Sequence, residues 1–351
     1  MNASQMNGRQ MNARQVDARQ LADKYDVVIV GAGPAGLSAA LNLGRARRRV
    51  LLLDANRPRN AATAISHGFI TRDGIAPHEL RRLARAELER YREVEVQLAT
   101  VLRITAANAT RVGEASEEPT TGFAIEAKGV NGSANRSVTA TAVLVASGLK
   151  ETLPALPSIR SFYGLGLFSC IECDGYELSD KPLAMIGETC DLASYALLIA
   201  QWSRDLTVFT NGVGRVTATQ EALLARRGVR VERGLIDDVV GDRGIVSGMR
   251  MADGRLVAVQ GGFVRPHWGA NLDYLSALNL ATDAGGLLRA DSDGRTNIAG
   301  VYAAGDSTAP GPQQLIVAAG AGARTAAAIN RDLIGIRRQE LMGPAAQVFL
   351  G

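Results

Sequence analysis

Cys170 and Cys173 stand two residues apart in the stretch Phe168-Ser169-Cys170-Ile171-Glu172-Cys173-Asp174-Gly175-Tyr176. Thiols at that spacing can close a small disulfide ring and run thiol–disulfide exchange, or they can hold zinc. A closed zinc site needs a second ligand pair, and the one remaining cysteine, Cys190, does not supply it. Far upstream lies Gly31-Ala32-Gly33-Pro34-Ala35-Gly36. In such a loop the first glycine allows a tight turn and the second lets a pyrophosphate approach the backbone. The third permits close helix–sheet contact, and the helix start offers free N–H groups to the diphosphate. Asp54, 18 residues after Gly36, is placed to accept hydrogen bonds from an adenosine ribose. This motif alone does not separate FAD from NAD.

The glycine loop carries weight only between a strand and a helix. Residues 26–30 (DVVIV) form a continuous apolar run, as in a strand buried on both faces of a parallel sheet. A helix is predicted over 34–45 and a second strand over 50–53, which completes a βαβ unit. Residues 78–92 read as an amphipathic helix with a solvated Arg/Glu face. Residues 94–145 hold short strand-like runs, ending in Ala142-Val143-Leu144-Val145 before Ala146-Ser147-Gly148. A second α/β unit opens near Pro182, with strands at 183–186 and 206–209 around a helix at 191–203. A late strand, Val301-Tyr302-Ala303-Ala304, runs into Gly305-Asp306. In flavoproteins of this general design such an Asp reaches the ribityl and phosphate region of FAD, so FAD is the expected cofactor. Pro312-Gln313-Gln314-Leu315 then opens a helix of small residues to about Leu333. Its N-terminus can stabilise negative charge on the flavin. Two motifs together, a flavin-type loop and a dithiol, point to a flavin-linked dithiol/disulfide oxidoreductase.

The chain has 351 residues, enough for two domains, and is 46% apolar and 21% charged. The expected class is α/β, with two Rossmann-like nucleotide-binding domains, the second inserted into the first. A tail at 1–24 repeats a five-residue unit; 25–154 and 263–351 form the FAD domain, and 155–262 the inserted domain carrying the Cys-x-x-Cys. No apolar run reaches the roughly 18 residues of a membrane span, and the first 24 residues hold no signal-peptide core. A cytoplasmic enzyme with no membrane and no nucleic-acid partner is expected; the net charge of +4 is mild. His67 and His267 are each either an acid/base or a structural histidine. His78 is a surface residue, and Cys190 reads as a small buried hydrophobe.

From Tyr25 to about Leu333 the chain resembles the low-molecular-weight thioredoxin reductase family. The VGAGPAGLSAA loop, the CIECDG motif and the GVYAAGDS segment carry the likeness. The resemblance implies a homodimer, Cys173 as the flavin-facing thiol, Cys170 as the interchange thiol and Asp174 as the acid that handles protons. It implies cofactor contacts from Gly31, Gly33, Pro34, Ala35, Gly36, Asp54, Asn60, His67, Gly148, Gly305, Asp306, Gln314 and Leu315. It also implies an NADPH site in the inserted domain, and here the sequence departs. The equivalent loop reads Gly187-Glu188-Thr189-Cys190-Asp191-Leu192, with Thr189 and Leu192 where small residues are needed. Two acids lie where a diphosphate should sit. After the next strand, Thr210-Asn211-Gly212-Val213-Gly214-Arg215 lacks the basic cluster for a 2′-phosphate.

Without a nicotinamide the electrons run the other way, which is similar to the FAD-dependent dithiol oxidases that close disulfides in gliotoxin-, holomycin- and romidepsin-type products. Arg59-Asn60-Ala61, the run Ser66-His67-Gly68 through Gly74, and Cys173-Asp174-Gly175-Tyr176-Glu177 look like that branch. The expected reaction oxidises a small-molecule dithiol, of depsipeptide type, through the Cys170–Cys173 disulfide and FAD, with molecular oxygen reduced to hydrogen peroxide. The inserted domain would then keep one orientation. The alternatives are an NADPH-dependent disulfide reductase, a ferredoxin-coupled reductase and a flavin-binding redox sensor.

Overall fold

The computed structural model describes residues 24–107, 122–309 and 311–336. The repeated five-residue tail lies outside them. The first strand, β1 (Lys24–Val30), passes through the glycine loop into α1 (Pro34–Arg45) and returns as β2 (Val50–Asp54). β1 pairs in parallel with β2 and with the later β5, and its centre, Val27 to Ile29, is fully buried. This burial on both faces explains why the strand is apolar without alternation.

α2 (Pro77–Leu88) is followed by the long strands β3 (Val94–Ala107), β4 (Gly122–Gly129) and β5 (Arg136–Val145). α2 stops four residues short of the expected end. Its charge pattern runs on, but the chain turns after Leu88 and lays Tyr91 and Val94 on Gly44 of α1. β3 and β5 each serve two layers. The first half of β3 pairs in parallel with β2 and the second half antiparallel with β4. β5 starts against β4 and ends between β1 and the later β16. A helical layer (α1, Leu88 of α2, and later α7) thus packs on one face of the parallel sheet, and the antiparallel strands pack on the other.

The chain then enters a second unit through β6 (Lys150–Thr152), α3 (Ile159–Phe162), β7 (Leu167–Phe168) and α4 (Ile171–Asp174). It continues as β8 (Leu183–Gly187), α5 (Leu192–Ile199), β9 (Leu206–Phe209), α6 (Ala218–Ala225) and β10 (Arg230–Glu232). The antiparallel β11 (Ile236–Asp242), β12 (Ile245–Met251) and β13 (Leu256–Ala258) precede β14 (Gly262–Arg265) and β15 (His267–Gly269). A parallel sheet runs in the order β10-β9-β8-β14-β7. It takes in Gly262–Arg265, so the chain leaves this unit after Arg265. α5 ends at Ile199, not 203, where a turn over 200–203 carries Trp202 towards α4. β6 and β15 pair antiparallel and form a two-stranded link between the units.

The chain finally rejoins the first sheet as β16 (Val301–Ala303), beside β5, and ends in α7 (Leu315–Leu333), which packs along α1. The contact is at backbone distance: a Cβ on Gly322 would lie 2.0 Å from the Ala35 carbonyl oxygen. Among the described residues no helix is long and apolar enough to cross a membrane.

Candidate active site

The three glycines of the first loop do three different things. Gly31 has φ +104°, and a Cβ there would sit 2.4 Å from the Ala146 carbonyl oxygen. Gly36 faces the Gly31 carbonyl, where a Cβ would lie at 1.9 Å. Gly33 faces open space, with nothing within 4 Å of a Cβ. The outer glycines hold the turn and the helix–sheet contact, and the middle one opens onto a cavity that a pyrophosphate can enter.

That cavity is lined by Gly31, Gly33, Pro34, Asp54, Asn60, His67, Gly148, Asp306 and Leu315, and also by Cys170, Cys173 and Asp174. The expected cofactor residues and the dithiol therefore share one space, and the residues present fit a dinucleotide. Ala35, Gly36, Gly305 and Gln314 do not line it. Ala35 lies beneath Gly305 and Gly322, and Gln314 caps α7 with extended backbone, its carbonyl accepting from Ala318. They shape the wall from behind.

Charged side chains tie this wall together, and of these the sequence did not single out Arg81, Arg85 and Glu151. Asp54 accepts from Arg81 (3.1 Å) and Arg85 of α2, and also from the Asn56 N–H at 3.1 Å. Arg59 donates to Asp306 at 2.7 Å and to Glu151 of β6 at 3.1 Å. Burial pushes the Asp306 carboxyl up, and Arg59 offsets only part of that. Glu151 also accepts from the Tyr163 hydroxyl at 2.8 Å and from Trp268 Nε1 at 3.3 Å. One carboxylate on the link thus joins β15, the flavin-type loop region and the approach to β7.

Cys170 and Cys173 form a disulfide around the single turn of α4, with Cα atoms 5.3 Å apart. Gly175 lies under the Trp202 indole, and a Cβ there would come within 2.7 Å of the ring. Asp174 is 8% exposed. Burial pushes its carboxyl up to about 7; the His67 charge pulls it down and Glu177 pushes it further up. Such a group can exchange protons near neutral pH, as thiol chemistry requires.

The second glycine loop is built differently. Leu192 is fully buried, and its side chain lies where a Cβ on Gly187 would come within 2.6 Å. Arg265 Cβ lies 2.8 Å from the same position. The Arg265 guanidinium donates from Nε and Nη2 to Asp191, at 2.9 and 2.6 Å. It stacks 4.0 Å from the Tyr195 ring centre and 4.4 Å from that of Trp268. Burial would raise the Asp191 carboxyl, but Arg265 and Thr189 hold it below the usual carboxylate range. The expected excess of negative charge in this loop is therefore half cancelled from within. Glu188 accepts from Asn211.

Cys190 is exposed, not buried, because Leu192 two residues on takes the interior position. His267 is exposed on β15 and does not line the cavity, and His78 is exposed at the start of α2. Among the described residues no group of three or more His, Cys, Asp and Glu side chains is placed to hold a metal ion.

The family model described as pyridine nucleotide-disulphide oxidoreductase matches residues 25–322. A probable thioredoxin reductase of Arthroderma benhamiae is 31% identical over 189 residues, 54% of this chain. The match spans only 44% of that protein, less than half its length. Among solved structures, a putative thioredoxin reductase TrxB from Bacillus anthracis superposes with a TM-score of 0.79 at 36% identity, covering 89% of this chain and 99% of that one. The structure of HlmI superposes with a TM-score of 0.80 at 33% identity, covering 93% and 96%.

Proposed function

The chain belongs to the pyridine nucleotide-disulphide oxidoreductase family, with FAD as its cofactor, and on that premise we propose that it is an FAD-dependent dithiol oxidase that works without a nicotinamide. The observation that carries this reading is the contrast between the two glycine loops. At Gly33 the backbone faces an open cavity, whereas the matching position of the second loop is Thr189, bonded to Asp191 at 2.5 Å, and the space beside the opening Gly187 holds Leu192 and Arg265. Ligands of open α/β sheets sit at the carboxyl ends of the strands. In the second sheet those ends, at β8 and β14, are occupied by the protein's own side chains.

In the proposed reaction a thiolate of a small dithiol, of depsipeptide type, attacks Cys170 Sγ. The Cys170–Cys173 bond breaks, and Cys173 leaves as a thiolate. The second substrate thiol gives its proton to Asp174 and attacks the substrate sulfur of the mixed disulfide. The cyclic disulfide is released, Cys170 leaves as a thiolate, and the electron pair rests on the dithiol. A bound FAD would supply the acceptor for that pair, with molecular oxygen as the final oxidant and hydrogen peroxide as its product. Gly33 and the α1 N-terminus would hold its diphosphate, and Asp306 the chain leading to its ring. A homodimer, on grounds of family resemblance, and a cytoplasmic setting, from the lack of a signal-peptide core in the first 24 residues, complete the proposal.

The names of the relatives favour a second reading, an NADPH-dependent disulfide reductase. Anaerobic mixing separates the two. A dithiol oxidase loses its flavin absorbance with dithiothreitol but not with NADPH, and forms peroxide when air is admitted. Rapid bleaching by NADPH would establish the reductase instead.

A further inference from the structure

His67 comes from the flavin unit but points its imidazole at the redox segment of the other unit. Its Nε2 lies 3.5 Å from Glu177, three residues beyond Asp174, and its Nδ1 lies 3.6 Å from Asp73 of its own loop. Asp73 is fixed in turn by the Gly68 N–H at 2.8 Å. His67 and Asp174 line the same cavity as the cysteine pair. Asp174 is buried, the His67 side chain is 23% exposed, and the carboxylates of Glu177 and Asp73 are 46% and 70% exposed. Titratable groups thus step from the buried dithiol out to water. The other charged groups on the cavity wall are Asp54, Arg57, Arg59, Arg81, Glu151 and Asp306; Arg59 bonds Glu151 and Asp306, and Arg81 bonds Asp54.

Oxidation of a dithiol frees two protons with its electron pair; reduction of a flavin takes up one, and both end on hydrogen peroxide. The second must therefore leave the buried carboxyl during the reductive half-reaction and be returned when oxygen is reduced. We propose, resting on the dithiol-oxidase reading above, that His67 is the positioning residue of a proton exit. The substrate S–H proton passes to Asp174 and from there to His67, and Glu177 and Asp73 take it to solvent. The arrangement gives the two neighbours opposite effects on Asp174. A protonated His67 favours the carboxylate, and Glu177 disfavours it.

The test uses the flavin-loaded holoenzyme and its H67Q and E177Q variants. Anaerobic reduction by dithiothreitol is followed across pH, together with the infrared carboxylic-acid band that disappears in D174N. The acid limb of the rate profile and the titration of that band should move together, upward in pH in H67Q and downward in E177Q. Because a one-unit displacement is a tenfold change in the ionised fraction below the pKa, reduction near pH 6 should slow by up to about tenfold in H67Q. It should quicken by a few-fold in E177Q. A change in plateau rate with both limbs unmoved would assign His67 a structural role and overturn the inference. Glu177 is exposed, so E177Q carries the test alone if H67Q fails to fold. If dithiothreitol does not bleach the wild-type flavin at all, it is the oxidase reading that has failed.

Discussion

The two glycine loops begin alike and end in opposite architectures. In the first, Gly31 and Gly36 hold a turn so tight that neither tolerates a Cβ, while Gly33 between them touches nothing. In the second, Leu192 occupies the position of the closing small residue, and its side chain folds back over Gly187 and Gly214. Arg265 completes the filling, bonded to Asp191 and stacked between two aromatic rings. The same backbone plan has been kept open in one unit and packed like a core in the other. The second loop is thus held by the packing of Leu192 and Arg265 against its own glycines.

Breaking the open loop should have the largest effect. Gly36→Val puts a branched side chain against the Gly31 carbonyl, and the purified variant should carry no flavin, read as the 450 nm to 280 nm absorbance ratio. The closed loop should respond in the other currency. Leu192→Ala leaves a cavity in a well-packed site and should cost about 2–5 kcal/mol in urea unfolding, with flavin content unchanged and no bleaching by NADPH. Flavin loss in that variant would undo the comparison.

Asp174→Asn sharpens the contrast through pH. The folded state raises this carboxyl from 3.8 to about 7. Its stabilising contribution is therefore complete below about pH 4 and is lost as pH rises to 7. The Asn variant lacks that loss. Its stability relative to the wild type should climb between pH 4 and pH 7 by on the order of a few kcal/mol, measured as Tm against pH. The smallest effect belongs to the surface of the closed unit. Thr217 and Gln220 cap α6 reciprocally, and Thr217→Ala should cost about 1 kcal/mol with dithiol-driven reduction unaltered.

Much of this plan could be read from the chain. Gly31, Pro34 and the apolar run before them delimit β1 and α1, because glycine and proline act on the local backbone. The ends of α2 and α5 could not be read, since tertiary contacts set them: Tyr91 against Gly44, and Trp202 against Gly175. The dithiol and the flavin-type loop were legible as spacing. The network that joins them was not. Glu151 lies 92 residues from Arg59 and 117 from Trp268, and Arg265 lies 74 from Asp191. One signal was present for Arg265: a lone charge directly after the buried run Phe263-Val264 and close before Trp268. The raised carboxyl of Asp174 arises from burial, which its spacing from Cys173 does not disclose.

The chain has two tryptophans, one beside the redox turn and one on the link between the units. Trp202 presses on Gly175, two residues beyond Cys173, and Trp268 donates to Glu151 while stacking on Arg265. Their emission falls where a flavin absorbs. The protein's intrinsic fluorescence is thus a built-in optical gauge, in which Trp202 registers the redox turn and Trp268 the seating of one unit on the other.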